Sequence, residues 1–123
     1  MKKHKFSCER GGLTIRGNLF QPEGENLPIA ILSHGFMANQ STMKGYAQAA
    51  AELGFAAFTY DFCGGCLWGR SDGKTTDMSV LTEVEDLKAV IAYASSLSFT
   101  DESRIVLIGA SQGGFVSALT AAQ

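Results

Sequence analysis

One serine in the sequence lies in a setting that favours nucleophilic chemistry. The segment GASQG at residues 109–113 has the spacing G-x-S-x-G and follows the apolar run IVLI at residues 105–108. In this motif a sharp turn from a strand into a helix exposes the serine hydroxyl group, and small neighbours let the two elements approach closely. The turn also directs the backbone N–H of the next residue toward the oxyanion formed on attack. The motif therefore predicts Ser111 as a nucleophile and Gln112 as an oxyanion-binding amide.

The same spacing occurs a second time, in GRSDG at residues 69–73. No apolar strand precedes this copy and no helical stripe begins directly after it, so Ser71 is expected to be an ordinary turn residue. Only the copy around Ser111 has the flanking strand and helix that the motif requires.

A second candidate feature follows an earlier apolar run, IAIL at residues 29–32. After Ser33 come His34, Gly35 and Phe36. Taken alone, His34 and Gly35 fit a turn that ends a strand. Together with the serine motif, their position predicts that the N–H of Phe36 is a second oxyanion donor.

The elements that must position these residues alternate along the chain. Segments 5–9 and 13–20 flank Gly11 and Gly12 and predict a β-hairpin. Apolar runs at 29–32, 55–60 and 105–108 predict strands that are buried on both faces. Strands that alternate with helices indicate βαβ units. The expected fold class is therefore α/β, with a mostly parallel sheet, an antiparallel N-terminal hairpin and helices on both faces.

Three segments have the spacing of helices. The first is capped by Ser41 or Thr42 and ends before Gly54, and the third covers residues 115–123. The second is capped by Ser79 and carries acidic residues near the positive end of its dipole, with its non-apolar face expected to be wet. These acids are Glu83, Glu85 and Asp86. The predicted apolar faces comprise Met43, Tyr46, Ala47, Ala50 and Leu53 in the first helix and Val80, Val84, Leu87, Ile91 and Ala94 in the second.

In these motifs the chain resembles the α/β-hydrolase superfamily, and within it bacterial cinnamoyl and feruloyl esterase-like, serine aminopeptidase-like and monoacylglycerol lipase-like hydrolases. The matching segments are LSHGF at 32–36, YDF at 60–62, SDG at 71–73 and IGASQGG at 108–114. The resemblance implies an ester hydrolase that needs no metal or cofactor. It implies Ser111 as the nucleophile and Phe36 and Gln112 as the oxyanion amides. It assigns supporting roles to His34, Gly35, Gly109 and Gly113. The loop CGGCLW at 63–68 departs from the shorter glycine-rich loop that is common in the superfamily.

The partners that a nucleophilic serine needs are missing after Ser111. In this fold an acid and a histidine follow the nucleophile in the chain, but residues 112–123 contain no His, Asp or Glu. Neither His4 nor His34 is expected to act as the base. Residues 1–123 are therefore expected to be the N-terminal part of a hydrolase domain, inactive alone, with an open strand edge that invites self-association.

Composition excludes several other classes. The 123 residues carry a net charge of −2, which disfavours nucleic acid as a partner, and no apolar run is long enough to span a membrane. The N-terminus lacks the apolar region of a signal peptide, and Cys8, Cys63 and Cys66 are an odd count, so we expect a cytoplasmic chain with reduced thiols. A redox role for the Cys63–Cys66 pair is disfavoured, because a loop follows it.

Two other interpretations stay open at this stage. The glycine-rich turn at 109–113 also resembles the turn of short-chain dehydrogenases, although that turn normally follows the first strand of its domain. Alternatively, the chain is a non-catalytic fragment that acts through its open sheet edge.

Overall fold

The computed structural model of the chain describes residues 1–35, 38–64, 71–73, 79–110 and 112–122. The strands are β1 (Lys2–Arg10), β2 (Leu13–Gln21), β3 (Leu27–Ser33), β4 (Ala56–Tyr60) and β5 (Thr100–Gly109). The helices are α1 (Lys44–Glu52), preceded by a 3-10 turn (Gln40–Met43), α2 (Val80–Ser95) and α3 (Gln112–Ala121). No helix among the described residues is long and apolar enough to cross a membrane.

Within the described residues, the strands form one five-stranded sheet in the order β1-β2-β4-β3-β5. Strand β2 is antiparallel to β1 and β4, whereas β3 is parallel to β4 and β5. All the described strands except β2 therefore point the same way, which confirms the predicted hairpin and mostly parallel sheet. This order places the carboxyl ends of β3 and β5 side by side, with Ser33 opposite Gly109.

Helices cover both faces of the sheet, as predicted. Alternate residues of a strand point to opposite faces, so each strand contributes to two apolar clusters. The cluster under α1 comprises Phe20, Ala30, Leu32, Met43, Ala47, Ala50, Ala51 and Ala57. The larger cluster under α2 and α3 includes Phe6, Ile15, Ile29, Ile31, Phe58, Tyr60, Leu87, Val90 and Val116.

The first helix differs in detail from its sequence prediction. The side chain of Asn39, rather than Ser41 or Thr42, caps the 3-10 turn by accepting from the Ser41 N–H at 3.0 Å. Two predicted apolar-face residues, Tyr46 and Leu53, are 64% and 80% exposed. The residues of α1 that are buried against the sheet are all alanines, Ala47, Ala50 and Ala51. Gly54 has the predicted left-handed conformation, with φ +98°.

The second helix has the predicted cap and a different buried face. Ser79 accepts from the Thr82 N–H at 3.2 Å, and the Thr82 hydroxyl accepts from the Ser79 N–H at 2.9 Å. Val84, Leu87, Val90 and Ala94 are buried, while Ile91 is half-buried and the side chain of Val80 lies outside the described part of the chain. Glu83 and Asp86 are also buried, although the non-apolar face of this helix was expected to be wet.

The last strand and helix are both longer than predicted. Strand β5 begins at Thr100 rather than at Ile105, and α3 begins at Gln112 rather than at Phe115. Gly113 and Gly114 therefore lie inside the first turn of α3, and at Gly113 the close approach to β3 leaves no space for a side chain.

Candidate active site

The turns that follow β3 and β5 meet at one edge of the sheet. The N–H of Ala110 donates to the Ser33 carbonyl oxygen at 3.2 Å, which extends the pairing of the two strands into the turn. The N–H of Gly113 then donates to the Ala110 carbonyl oxygen at 2.9 Å and closes the turn into α3. The Cβ position of Gly113 lies against backbone oxygens of Ser33 and His34, so the start of α3 contacts the end of β3.

Two glycines make this approach possible. A Cβ atom on Gly113 would lie 2.3 Å from the Ser33 carbonyl oxygen and 2.5 Å from that of His34. A Cβ atom on Gly109 would lie 2.3 Å from backbone atoms of Gly113 and Gly114. Because these neighbours are backbone atoms, they cannot move aside as a flexible side chain would. Both glycines are therefore required by the geometry of the turn.

Ser111 and Phe36, the predicted nucleophile and one predicted oxyanion donor, lie outside the described residues. In the sequence Ser111 directly precedes Gln112, the first residue of α3. The first N–H groups of a helix have no partner within the helix and carry its positive dipole end, which suits the binding of an oxyanion. The roles of Ser111, Phe36 and Gln112 stay predictions.

His34 is held by backbone groups on both sides of its ring. Nε2 accepts from the Phe62 N–H at 3.1 Å, so the ring proton lies on Nδ1, which donates to the Gly35 carbonyl oxygen at 2.7 Å. Burial lowers the pKa of the His34 imidazole, and the hydrogen bond to Gly35 opposes that shift. His34 is therefore a neutral link between the ends of β3 and β4, and neither ring nitrogen is available as a general base.

We expect acid to destabilise the folded chain through His34. Because its pKa is lowered by folding, the stability contributed by neutral His34 is present above the ordinary pKa of 6.5 and is lost as the pH falls below it. One proton changes the free energy of unfolding by at most about 1.4 kcal/mol per pH unit. Urea unfolding at several pH values should show this acid-dependent loss in the wild type and in the control His4→Gln, but not in His34→Gln. Equal pH dependence in all three would contradict this assignment.

The second copy of the serine motif has a structural role. The Ser71 hydroxyl donates to the Asp61 carbonyl oxygen at 2.5 Å and accepts from the Arg16 N–H at 2.7 Å. Asp72 forms an ion pair with Arg16 at 2.7 Å, and its carboxylate accepts from the Thr14 N–H at 3.0 Å. These contacts attach residues 71–73 to β2, in agreement with the turn expected there.

Two buried carboxyl groups on α2 border the site, and neither was predicted to belong to it. Glu83 is 1% exposed and accepts a hydrogen bond from Gln112 Nε2 at 2.5 Å. Asp86 is fully buried, accepts from the Cys63 N–H at 2.9 Å and pairs with Arg10 at 2.7 Å. Burial is the main cause that raises the pKa of each carboxyl group. The helical period could have found them, since Glu83 and Asp86 share a face with Val90.

The cysteines do not form a reactive pair among the described residues. Cys8 and Cys63 are free, and burial raises the pKa of their thiols to about 11 and about 12. Thiols with such pKa values are almost fully protonated at neutral pH and are poor nucleophiles. Cys66 lies outside the described residues, so the expectation that the Cys63–Cys66 pair has no redox role stays a prediction.

A cleft of about 710 Å³ lies away from these turns. Its lining includes Lys3, Lys5, Asn18, Gln40 and Lys44, between the N-terminal hairpin and the start of α1. None of the residues that meet at the ends of β3 and β5 lines it. The geometry of the strand ends, rather than the volume of this cleft, therefore defines the candidate site.

The sequence of the chain is similar to a known family and to a bacterial protein. The family described as Serine aminopeptidase, S33 (Hydrolase_4) matches residues 24–123. An uncharacterized 31.7 kDa protein in the traX-finO intergenic region of Escherichia coli is 37% identical over 113 residues. The match covers 90% of this chain and 37% of that protein.

Solved structures give the same assignment. The structure of DcsB in complex with its substrate analogue has a TM-score of 0.89 and 31% identity, over 98% of this chain and 41% of that one. Est1E from Butyrivibrio proteoclasticus with bound ferulic acid has a TM-score of 0.86 and 29% identity, over 95% of this chain and 47% of that one. The chain thus spans less than half of each relative. The glycine-rich segment at 109–113 comes after the fifth of the described strands, whereas the dehydrogenase turn normally follows the first strand of its domain. The chain belongs to the serine aminopeptidase S33 family of α/β hydrolases.

Proposed function

We propose that the chain carries the nucleophile and the oxyanion amides of a serine hydrolase that acts on carboxylic esters. The observation that supports this most is the junction of the turns after β3 and β5, where the Ala110 N–H binds the Ser33 carbonyl oxygen. This contact brings the start of α3 to the end of β3, which is the arrangement that a nucleophile elbow and its oxyanion donors need. The substrate class is inferred from Est1E, whose structure holds ferulic acid.

The proposed reaction is an acyl transfer through Ser111. The Ser111 Oγ gives its proton to a base and forms a bond to the ester carbonyl carbon. The resulting oxyanion accepts hydrogen bonds from the backbone N–H groups of Phe36 and Gln112. The bond to the leaving oxygen then breaks, the alcohol departs with the proton, and water releases the acid from the acyl-enzyme.

We propose further that residues 1–123 alone turn over esters at no more than a trace rate. The sequence has no His, Asp or Glu after Ser111, and both ring nitrogens of His34 are bound to backbone groups. A positioned general base contributes about 10²–10⁴ to the rate. Without one, the Ser111 hydroxyl group stays weakly nucleophilic even in a well-formed elbow.

Chemical rescue with imidazole tests both parts of the proposal. A fluorophosphonate reacts with an activated serine by forming an O–P bond and releasing fluoride, and mass spectrometry locates the adduct. We expect slow labelling of Ser111 in the wild-type chain and a rate about tenfold higher in excess imidazole, which supplies part of the missing base. Covalent labelling is the proper readout, because free imidazole also hydrolyses esters in solution.

Two variants make this experiment specific. Ser111→Ala should remove the adduct with and without imidazole. Ser71→Ala, which removes the serine of the other G-x-S-x-G segment, should keep the Ser111 adduct. Absence of labelling at Ser111 in a folded wild-type chain would refute the proposed nucleophile, and fast labelling without imidazole would refute the proposed lack of a base.

A second candidate function is association through the edge of the sheet. Within the described residues, β5 pairs only with β3, and Val106 on β5 is 43% exposed. A groove of about 580 Å³ beside this strand is lined by apolar and small residues that include Ile105, Leu107 and Ala118. Unpaired strand edges of this kind promote pairing with another chain. Sedimentation at several concentrations should show self-association, and Val106→Lys should weaken it. A monomer at all concentrations would exclude it.

A further inference from the structure

Glu83 connects α2 to the first residue of α3. Its carboxyl group is buried and accepts from the side-chain amide of Gln112, with Nε2 and Oε1 separated by 2.5 Å. Gln112 directly follows the proposed nucleophile and is the proposed oxyanion donor. Burial raises the pKa of the Glu83 carboxyl group, and the hydrogen bond from Gln112 opposes that rise.

The end of α2 that carries Glu83 is firmly held. The reciprocal hydrogen bonds between Ser79 and Thr82 close the first turn of the helix. One turn further on, Asp86 binds Arg10 of β1 and the Cys63 N–H. Glu83 therefore projects from a helix end that is fixed on both sides, and its carboxyl group provides a fixed anchor point for Gln112.

We propose that Glu83 is a positioning residue that fixes the direction of the Gln112 backbone N–H by binding the Gln112 side chain. This inference rests on the proposed function of Ser111 and Gln112. The anchor is needed because the first turn of a helix has N–H groups without helical partners and tends to fray. An oxyanion donor contributes strongly only while it points at the site where charge develops, and its loss costs about 10²–10³ in rate.

Three variants at two neighbouring positions test the role of Glu83. Glu83→Leu removes the acceptor at similar size, and Glu83→Gln keeps an acceptor oxygen without the charge. Glu85→Leu is the matched control, since Glu85 lies on the same helix with its side chain 58% exposed. All are studied in the full 123-residue chain, with imidazole, well below their unfolding temperatures.

The first readout is the rate of fluorophosphonate labelling at Ser111. We expect Glu83→Leu to lower it about tenfold or more, because the misdirected amide stabilises the charged phosphoryl oxygen less well. Glu83→Gln should keep at least about a third of the rate, since its amide oxygen still accepts from Gln112. Glu85→Leu should label as the wild type does.

The second readout is amide hydrogen exchange at Gly113, whose N–H binds the Ala110 carbonyl oxygen. Glu83→Leu should speed this exchange about tenfold relative to residues in β3, and Glu83→Gln should restore protection. If Glu83 only stabilised the fold, Glu83→Leu would instead raise amide exchange throughout the chain. The folded variant would then label at Ser111 as fast as the wild type.

The outcomes separate the two proposals. If the wild type is labelled at Ser111 and Glu83→Leu is labelled equally fast, the positioning role is wrong and the proposed nucleophile stands. An equal loss of labelling rate in Glu83→Leu and Glu83→Gln would also overturn the positioning role, because a hydrogen-bond acceptor at position 83 would then not be enough to position Gln112. If the folded wild type is not labelled at Ser111 at all, the proposed function fails and the inference that rests on it fails with it.

Discussion

Replacement of Gly113 by alanine is expected to lower the free energy of unfolding by about 3 kcal/mol. The new Cβ atom would overlap the carbonyl oxygens of Ser33 and His34, at 2.3 and 2.5 Å. Those oxygens belong to the last residue of β3 and to the residue after it, so relief of the overlap requires α3 to move away from the sheet. The same movement would separate Gln112 from the end of β3, so labelling of Ser111 should fall as well. Urea unfolding followed by circular dichroism measures the loss of stability.

Gly45→Ala is the matched control for this substitution. Gly45 lies in α1, and a Cβ atom there would meet nothing within 4 Å. Alanine in a helix is more favourable than glycine by about 0.5–1 kcal/mol, so this variant should be slightly more stable than the wild type. If Gly113→Ala lowers the free energy of unfolding and Gly45→Ala raises it, the loss at Gly113 comes from the close contact between α3 and β3. A loss below about 1 kcal/mol at Gly113 would show that the contact yields easily.

Asp86→Ala is expected to destabilise the chain by about 3–5 kcal/mol. The substitution leaves the partly buried guanidinium group of Arg10 without its carboxylate and the Cys63 N–H without its acceptor. Both losses are costly because a buried polar group has no water to replace the lost partner. The midpoint of urea unfolding should therefore shift to a much lower concentration.

The neighbouring Glu85→Ala is the control for Asp86. Its ion pair with Lys88, at 3.5 Å, is exposed, and such pairs contribute about 0–1 kcal/mol. Two acids that are adjacent in sequence should thus differ by several-fold in their effect on stability. Similar small effects at both positions would mean that Arg10 and the Cys63 N–H find other partners in the variant.

The fold was largely predictable because its strands and caps have local signatures. The glycines between β1 and β2, the unbroken apolar runs of β3 and β4 and the capping residue Ser79 each act over a few residues. The same holds for the turn at 109–113, whose pattern of small residues reflects a contact that the structure contains. Ser111 and Phe36 lie outside the described residues, so the central roles in the site stay predictions.

The parts that were not predicted depend on residues far apart in sequence. Glu83 and Asp86 are acidic, and acids are seldom buried unless they are paired. The helical period places both on the face of Val90, but their partners come from α3, from β1 and from the segment after β4, which no local pattern identifies. Tyr46 and Leu53 show the opposite error, because they were expected in the core and are exposed. Their spacing is helical, but the width of the apolar face depends on how closely α1 packs on the sheet.

The strand order also determines when the site can form during folding. Ser33 and Gly109 are neighbours in the sheet although most of the chain lies between them. Pairing of β3 with β5 must therefore close a long loop, a step that slows folding and comes after local hairpins and helices have formed. During synthesis on a ribosome, the edge of β3 that pairs with β5 would stay unpaired until β5 had been synthesised. The junction that places the start of α3 against β3 therefore forms only after β5 has paired with β3.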